Sequence, residues 1–219
     1  ERSSTSATSE SRMTKVKICG LMDQVTVDET VQAGADYLGF VFAKSKRNIT
    51  PEKVRAITRN VPEKVKIVGV FVSPSLKELE AVIRIAKLDL VQIHGKLFPE
   101  IVSGIAIPVI QSFDGQSPEL PSLLASSTAD FYLLDAPITN ETYAGGNGKT
   151  FDWQKISSES QKQLKQKPFF IAGGLTQANV TEAIQLFEPF AVDVSSSVET
   201  DGVKDVTKIK AFIKAVKEQ

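Results

Sequence analysis

Eight short, almost continuously apolar segments constrain the fold of this chain more than any other feature. They cover residues 16–19, 37–42, 65–72, 88–94, 107–113, 131–135, 168–172 and 190–195. A strand that is exposed on one face alternates apolar and polar residues, whereas continuous apolar runs are typical of parallel strands buried on both faces. Glycine, proline or short polar residues mark the C-terminal boundary of most of these segments.

Amphipathic helices are predicted in most of the intervening segments. Apolar residues recur at helical spacing in Val180, Ala183 and Phe187, and again in residues 76–86 and 206–216. Helix-start signals are the pairs Thr50 with Pro51 and Ser75 with Glu78. Residues 98–104 and 118–125 carry shorter helical patterns.

Eight strand–helix units in chain order predict an α/β fold, a single (β/α)8 TIM barrel. A doubly wound open sheet is the alternative, but no G-x-G-x-x-G motif follows the first strand. We expect one catalytic barrel domain over residues 13–219. Residues 1–12 are rich in Ser and Thr and nearly devoid of apolar residues, so we expect a disordered extension or an expression remnant there.

The charge balance bears on the kind of partner, and the cysteine content bears on disulfides and the cellular compartment. Lys plus Arg and Asp plus Glu both number 26, and the formal net charge is zero. No basic excess therefore indicates nucleic acid or an anionic membrane surface as a partner. The single cysteine forbids an internal disulfide and favours a reducing compartment. We expect a cytoplasmic monomer that binds a small molecule and holds no metal.

Chemically active side chains collect at the C-terminal ends of the predicted strands, where TIM barrels carry their sites. The only cysteine, Cys19, and the only histidine, His94, end the first and fourth strands. Asp135 ends the sixth strand, Asp193 lies near the end of the eighth, and Arg47 lies in the loop after the second. Each residue alone has an ordinary structural explanation, but their convergence on one rim indicates a site.

Two turns of small residues follow the seventh and eighth strands. They are Gly173-Gly174 and Ser195-Ser196. Glycine lets a ligand approach the backbone closely, and TIM barrels often bind phosphate at these two loops. We therefore predict a phosphorylated substrate at the two turns, with a helix beginning at Thr176 after the first of them.

The segment 145–150, GGNGKT, ends like a nucleotide-binding P-loop but lacks its context. The first glycine of that motif would fall at Tyr143, and no strand is predicted immediately before the segment. We predict instead a mobile loop between the sixth strand and a helix that begins near Asp152 and Trp153.

Taken together, the motifs resemble phosphoribosylanthranilate isomerase of tryptophan biosynthesis. The similar motifs occur in the same order as in that family, from about residue 15 to the C-terminus. They are Lys17-Ile18-Cys19-Gly20-Leu21, Gly39-Phe40-Val41-Phe42 with Ser45-Lys46-Arg47, Val91-Gln92-Ile93-His94-Gly95, Leu134-Asp135, residues 145–153, Ala172-Gly173-Gly174-Leu175, and Val192-Asp193-Val194-Ser195-Ser196 with Val198-Glu199. Three positions depart from the common family pattern: Lys96, Asn147 and Ser197. Ser197, where glycine is usual, could change the backbone of the phosphate turn.

The resemblance implies a (β/α)8 barrel that needs no cofactor. It implies an Amadori rearrangement of N-(5-phosphoribosyl)anthranilate into 1-(2-carboxyphenylamino)-1-deoxyribulose 5-phosphate. Cys19 is then the general base, Asp135 the general acid and Arg47 the partner of the anthranilate carboxylate, while the two small-residue turns hold the phosphate. His94 and Asp193 are candidates for positioning the substrate.

The sequence leaves two alternative functions open. The related isomerase of histidine biosynthesis, or a dual-substrate form, shares the phosphate turns but typically carries Asp where this chain has Cys19. A noncatalytic barrel that binds a phosphosugar would need neither Cys19 nor Asp135.

The reaction sets opposite requirements for the two catalytic candidates. Asp135 must be protonated to open the sugar ring, which requires a raised pKa. Cys19 must be a thiolate, yet an unperturbed thiol with a pKa of ~8.5 is mostly protonated at neutral pH. Burial raises a thiol pKa further, so a helix N-terminus or a nearby cation must offset it.

Overall fold

The computed structural model describes residues 13–135, 138–142, 149–151 and 155–219, whose main feature is a closed barrel of eight parallel strands. The barrel strands are β1 Lys15–Cys19, β2 Tyr37–Val41, β3 Lys66–Val72, β4 Leu90–His94, β5 Val109–Asp114, β6 Phe131–Asp135, β7 Phe169–Ala172 and β8 Ala191–Val194. Each pairs with the strands before and after it in the chain, and β8 closes on β1. The predicted TIM barrel is confirmed, and the open-sheet alternative is wrong.

One helix follows each barrel strand. The helices are α1 Gln24–Gln32, α2 Pro51–Ile57, α3 Leu76–Ala86, α4 Pro99–Gly104, α5 Leu120–Ser126, α6 Ser158–Leu164, α7 Val180–Phe187 and α8 Val206–Lys217. Both predicted start signals are confirmed, because Thr50 Oγ1 accepts from the amide of Lys53 and Ser75 Oγ accepts from the amide of Glu78. The predicted extension, residues 1–12, lies outside the described residues.

The helix expected at Thr176 begins four residues later, at Val180, so that prediction is wrong. The amide of Thr176 donates to Asn179 Oδ1, and Asn179 Nδ2 donates to the carbonyl of Gly174. Asn179 thus folds the segment after β7 into a turn, in competition with the helix. The carbonyl of Thr176 already accepts from the amide of Val180, where the helix begins.

The region between β6 and α6 differs from the predicted loop. Ile138–Thr142 pairs antiparallel with Lys149–Phe151, so a strand does lie close before the GGNGKT segment, and two residues of that segment are themselves in a strand. Residues 143–148 lie outside the described residues. The helix expected near Asp152 and Trp153, which also lie outside them, is α6, and it begins at Ser158.

The barrel interior is apolar at the N-terminal ends of the strands and polar toward their C-terminal ends. At the end where the strands begin, the rings of Tyr37, Phe131, Phe170 and Phe190 contact one another with centroids 5.3–6.2 Å apart. Aliphatic side chains such as Leu133 fill the middle of the barrel. Polar side chains, among them Lys17, Gln92 and Asp193, are buried nearer the C-terminal ends of the strands. The barrel therefore offers its chemistry at that end.

Candidate active site

A cavity of about 390 Å³ lies at the C-terminal ends of the strands. All nine site residues predicted from the sequence line it: Cys19, Arg47, His94, Asp135, Gly173, Gly174, Asp193, Ser195 and Ser196. Gln92 lines it as well. The strand order explains this meeting, because parallel strands in a closed barrel end at the same rim.

The thiol of Cys19 is nearly buried in the cavity wall, with the residue 8% exposed. Cys19 ends β1 and pairs with Gly39 of β2, where a Cβ would lie 2.7 Å from Sγ. The absence of a side chain at Gly39 therefore makes room for the thiol. Burial raises the pKa of the Cys19 thiol, and Lys17 is the main group that opposes this rise.

Lys17 is a cation near the thiol, one of the two kinds of group that the sequence argument called for, but it offsets the effect of burial only in part, because the net shift of the Cys19 pKa is upward. It lies two residues before Cys19 on β1, so both side chains point into the barrel. Its side chain is fully buried, and Nζ donates to Asp193 Oδ1 at 2.8 Å. Burial alone lowers the pKa of Lys17, but Asp193 and Cys19 together outweigh it and the net shift is upward. Lys17 is therefore a buried ammonium ion.

Asp135 lies exposed at the rim of the cavity. Desolvation raises the pKa of its carboxyl, and the carboxylates of Asp193 and Asp114 raise it further. Asp114 ends the neighbouring strand and pairs with Asp135 in the β5–β6 register. Like charges at two adjacent strand ends thus favour the protonated form that a general acid needs.

His94 is a neutral hydrogen-bonding group. Its Nε2 lies 3.0 Å from Gln92 Nε2 and 3.3 Å from Ser112 Oγ. Burial lowers the pKa of His94, and the charge of Lys17 lowers it further. With the Gln92 amide in this orientation, its Nε2 donates to His94 Nε2, and the proton of the neutral imidazole then lies on Nδ1. Among the described residues, Gln92 Oε1 is a buried oxygen that has no hydrogen-bond partner.

Arg47 is bound to a carboxylate of the chain itself. Its Nε and Nη2 donate to the two carboxylate oxygens of Glu199 at 2.9 and 2.6 Å. Lys204 Nζ donates to Glu199 Oε2 at 2.6 Å. Sequence reasoning missed Glu199 and Lys204 as site residues, because both lie in the hairpin Glu199–Thr200 and Val203–Lys204 after β8, and only its folding brings them to Arg47.

The two small-residue turns differ in construction. Gly173 and Gly174 have φ of 90° and 63°, a conformation that a residue with a side chain adopts only with strain. Ser195 precedes the short 3₁₀ turn Ser196–Val198. Ser197 lies inside this turn and is not among the described residues with positive φ, so serine fits there without strain.

In the part of the chain that the structure describes, no group of three or more His, Cys, Asp or Glu side chains is arranged to hold a metal ion. No helix in the same residues is long and apolar enough to cross a membrane.

Comparison with known proteins decides the family. A family model described as N-(5'-phosphoribosyl)anthranilate (PRA) isomerase matches residues 16–215. The chain belongs to the PRA isomerase family. The resemblance seen in the motifs is thus confirmed.

Individual PRA isomerases agree with this assignment. The enzyme of Streptococcus mutans serotype c is 51% identical over 205 residues, which cover 94% of this chain and 100% of that protein. The enzyme of Streptococcus gordonii is 52% identical over 206 residues, 94% and 99% of the two chains. The crystal structure of the Thermotoga maritima PRA isomerase superposes with a TM-score of 0.81 at 38% identity, covering 94% and 100%.

A further PRA isomerase structure contains a ligand. It is a complex with reduced 1-(o-carboxyphenylamino)-1-deoxyribulose 5-phosphate, with a TM-score of 0.80, 36% identity, and coverage of 94% of this chain and 100% of that one.

Proposed function

We propose that this chain converts N-(5'-phosphoribosyl)anthranilate into 1-(2-carboxyphenylamino)-1-deoxyribulose 5-phosphate, an aldose–ketose isomerisation of tryptophan biosynthesis. The observation that carries the proposal is the cavity in which Cys19 and Asp135 lie with the two small-residue turns. Membership of the PRA isomerase family supports the same reaction.

The reaction needs only proton transfers. Asp135 gives its proton to the ring oxygen of the sugar, the bond from that oxygen to C1 breaks, and the nitrogen lone pair forms an iminium ion. Cys19 then removes the proton from C2, and the electron pair of that C–H bond neutralises the iminium ion. The resulting enolamine tautomerises to the amino ketone. Asp135 regains a proton and Cys19 loses one through solvent.

The two pKa values set how much of the enzyme is active. The reactive form has Cys19 ionised and Asp135 protonated, which is a minority form when the pKa of Asp135 is the lower one. Its fraction grows as the two pKa values approach each other. The ammonium of Lys17 opposes the rise in the thiol pKa, and Asp193 and Asp114 raise the carboxyl pKa. Both effects enlarge the reactive fraction.

The remaining cavity residues bind the substrate in this proposal. The backbone at Gly173-Gly174 and the Ser195-Ser196 turn hold the phosphate, and Arg47 holds the anthranilate carboxylate. Neutral His94 lines the same cavity and can bond to a sugar hydroxyl. Asp193 acts through Lys17, to which its carboxylate is bonded.

Replacing Arg47 by alanine is expected to raise KM by roughly 10-fold or more with a smaller change in kcat, because a charge-assisted bidentate bond to the substrate is lost. Steady-state kinetics on phosphoribosylanthranilate measure both constants. Arg47→Lys keeps the charge but not the planar fork, and we expect it to recover only part of the affinity. An unchanged KM in Arg47→Ala would remove this residue from the binding site.

The decisive test of the function is loss of phosphoribosylanthranilate fluorescence with purified protein. Turnover supports the proposal, and binding of the product analogue without turnover identifies a noncatalytic phosphosugar-binding barrel. The histidine-pathway substrate, offered in parallel, tests for a dual-substrate enzyme. A thiol base must stay reduced, which supports the predicted cytoplasmic location. Sedimentation of the purified chain tests the predicted monomer.

A further inference from the structure

A carboxylate of the chain itself connects the two binding regions of the cavity. Glu199 accepts from Arg47 and from Lys204, and the three side chains are called here the Glu199 bridge. Lys204 Nζ also donates to the backbone oxygen of Ser195 at 3.1 Å and lies 3.3 Å from Ser195 Oγ. A continuous series of hydrogen bonds therefore runs from Arg47 to the turn after β8.

The Glu199 bridge is shielded from solvent. The side chains of Glu199 and Lys204 are each 5% exposed, and that of Arg47 is 21% exposed. The hydrogen bonds from Arg47, with help from Lys204, lower the pKa of Glu199 to about 2. The carboxylate of Glu199 is therefore ionised throughout the pH range of an assay and does not titrate with the catalytic groups.

The bond to Glu199 uses only one edge of the Arg47 guanidinium. Glu199 takes the side edge, formed by Nε and one N–H of Nη2. A guanidinium has five N–H donors. Glu199 thus leaves the end edge, formed by Nη1 and the second N–H of Nη2, which has the geometry to bind another carboxylate in bidentate fashion. Arg47 can hold Glu199 and a ligand carboxylate at the same time.

The bridge also packs against Gly20, at the start of the loop after β1. Gly20 follows Cys19 directly and has φ of 83°. A Cβ at Gly20 would lie 2.5 Å from Arg47 Cδ, 3.1 Å from Ser195 Oγ and 3.3 Å from Lys204 Nζ. Two side chains of the bridge, Arg47 and Lys204, therefore lie with Ser195 against the α-carbon of the residue next to Cys19.

We propose that Glu199 is a positioning residue that orients Arg47 toward the carboxylate of the substrate and, through Lys204, orders the Ser195 turn for its phosphate. This inference rests on the proposed function for the identity of the ligand. Glu199 touches no reacting atom, so its effect falls on binding rather than on the chemical step.

The direction of the effect distinguishes positioning from simple charge. Removing a negative charge beside two cations makes the cavity more positive, and this alone would strengthen the binding of an anionic substrate. Loss of orientation weakens binding instead. Glu199→Gln keeps the size of the side chain, removes its charge, and so sets the two effects against each other.

The experiment compares Glu199→Gln, Glu199→Asp and the control Glu29→Gln with the wild type. Glu29 is also ion-paired to a lysine, Lys210 at 2.9 Å, but on the outer helices α1 and α8. We expect Glu199→Gln to raise KM by about 10-fold, because a charge-assisted hydrogen bond is lost. We expect kcat to change by less than about 3-fold. Glu199→Asp keeps the charge and recovers part of the affinity. Glu29→Gln leaves both constants unchanged.

Direct binding measurements separate this proposal from the proposed function. Calorimetry with the reduced product analogue and with inorganic phosphate needs no turnover, and we expect Glu199→Gln to weaken both ligands. Equal or tighter binding of the analogue overturns the positioning role, and unchanged binding of inorganic phosphate overturns the coupling to Ser195. Failure of the wild type to turn over the substrate contradicts the proposed function alone. Thermal unfolding of each variant verifies that it is folded.

Discussion

We expect the replacement of Cys19 or Asp135 by alanine to lower kcat by roughly 10²-fold or more and to leave the chain folded. General acid and general base groups typically contribute factors of this size, and neither side chain holds the fold together. Cys19 ends its strand at the cavity wall, and Asp135 is exposed at the rim. Truncating either one removes a proton-transfer group and leaves the binding residues in place, so we expect KM to change little.

Single-turnover and steady-state kinetics on phosphoribosylanthranilate measure the loss. Asp28→Ala is the matched control for Asp135, because Asp28 is a carboxylate on the outer helix α1. Wild-type turnover by either catalytic variant would eliminate that residue from the mechanism. Circular dichroism and thermal unfolding identify any variant whose activity is lost through misfolding.

Replacing Lys17 by methionine lowers kcat/KM by about 10-fold or more, because the thiol of Cys19 loses the cation that most opposes the effect of burial. The pKa of Cys19 then rises further above its ordinary value, and the reactive fraction of the enzyme falls. In the wild type, we expect kcat/KM to rise with pH through the pKa of Asp135, to stay level, and to fall above the pKa of Cys19. In the variant the level region is lower and its alkaline end moves to higher pH.

The single cysteine makes the thiol pKa measurable without any substrate. The rate of alkylation by iodoacetamide as a function of pH reports the ionisation of Cys19, with Cys19→Ala as the blank. Lys17→Met leaves Asp193 buried without its partner, which typically destabilises a fold by ~3–5 kcal/mol. The double variant Lys17→Met with Asp193→Asn removes both charges and avoids this. Because the charge of Asp193 raises the pKa of Cys19, the double variant is compared with Asp193→Asn alone. The same alkylation profile in these two variants would mean that Lys17 does not activate Cys19.

The barrel could be predicted from the sequence because its strands are buried on both faces. Such strands must be almost continuously apolar, and all eight segments coincide with observed strands to within two residues at each end. The start of α7 was mispredicted because Asn179 bonds back to Thr176 and Gly174. The hairpin strand Lys149–Phe151 was missed because three residues show no periodicity.

From the sequence, only the site residues that lie at the ends of strands or in the turns after them could be predicted. Cys19, His94 and Asp135 each terminate a strand, and the closed barrel brings such residues to one rim. Lys17 gave a signal that could have been used, since a lysine two residues before Cys19 in an apolar strand points to the same side of the sheet. Glu199 belonged to a motif of the family resemblance, but the sequence did not indicate its role, and Lys204 gave no signal. The contacts of both residues depend on how the hairpin after β8 folds back.

The ring cluster of Tyr37, Phe131, Phe170 and Phe190 closes the barrel at the N-terminal ends of the strands, so the active site is open at one end. Nothing can pass through the barrel axis, so the reactant must enter and the product must leave by the same mouth. The two species share a phosphate and an anthranilate group, and each therefore excludes the other. Departure of the ketose phosphate consequently precedes every new turnover, and accumulated product competes directly with fresh reactant.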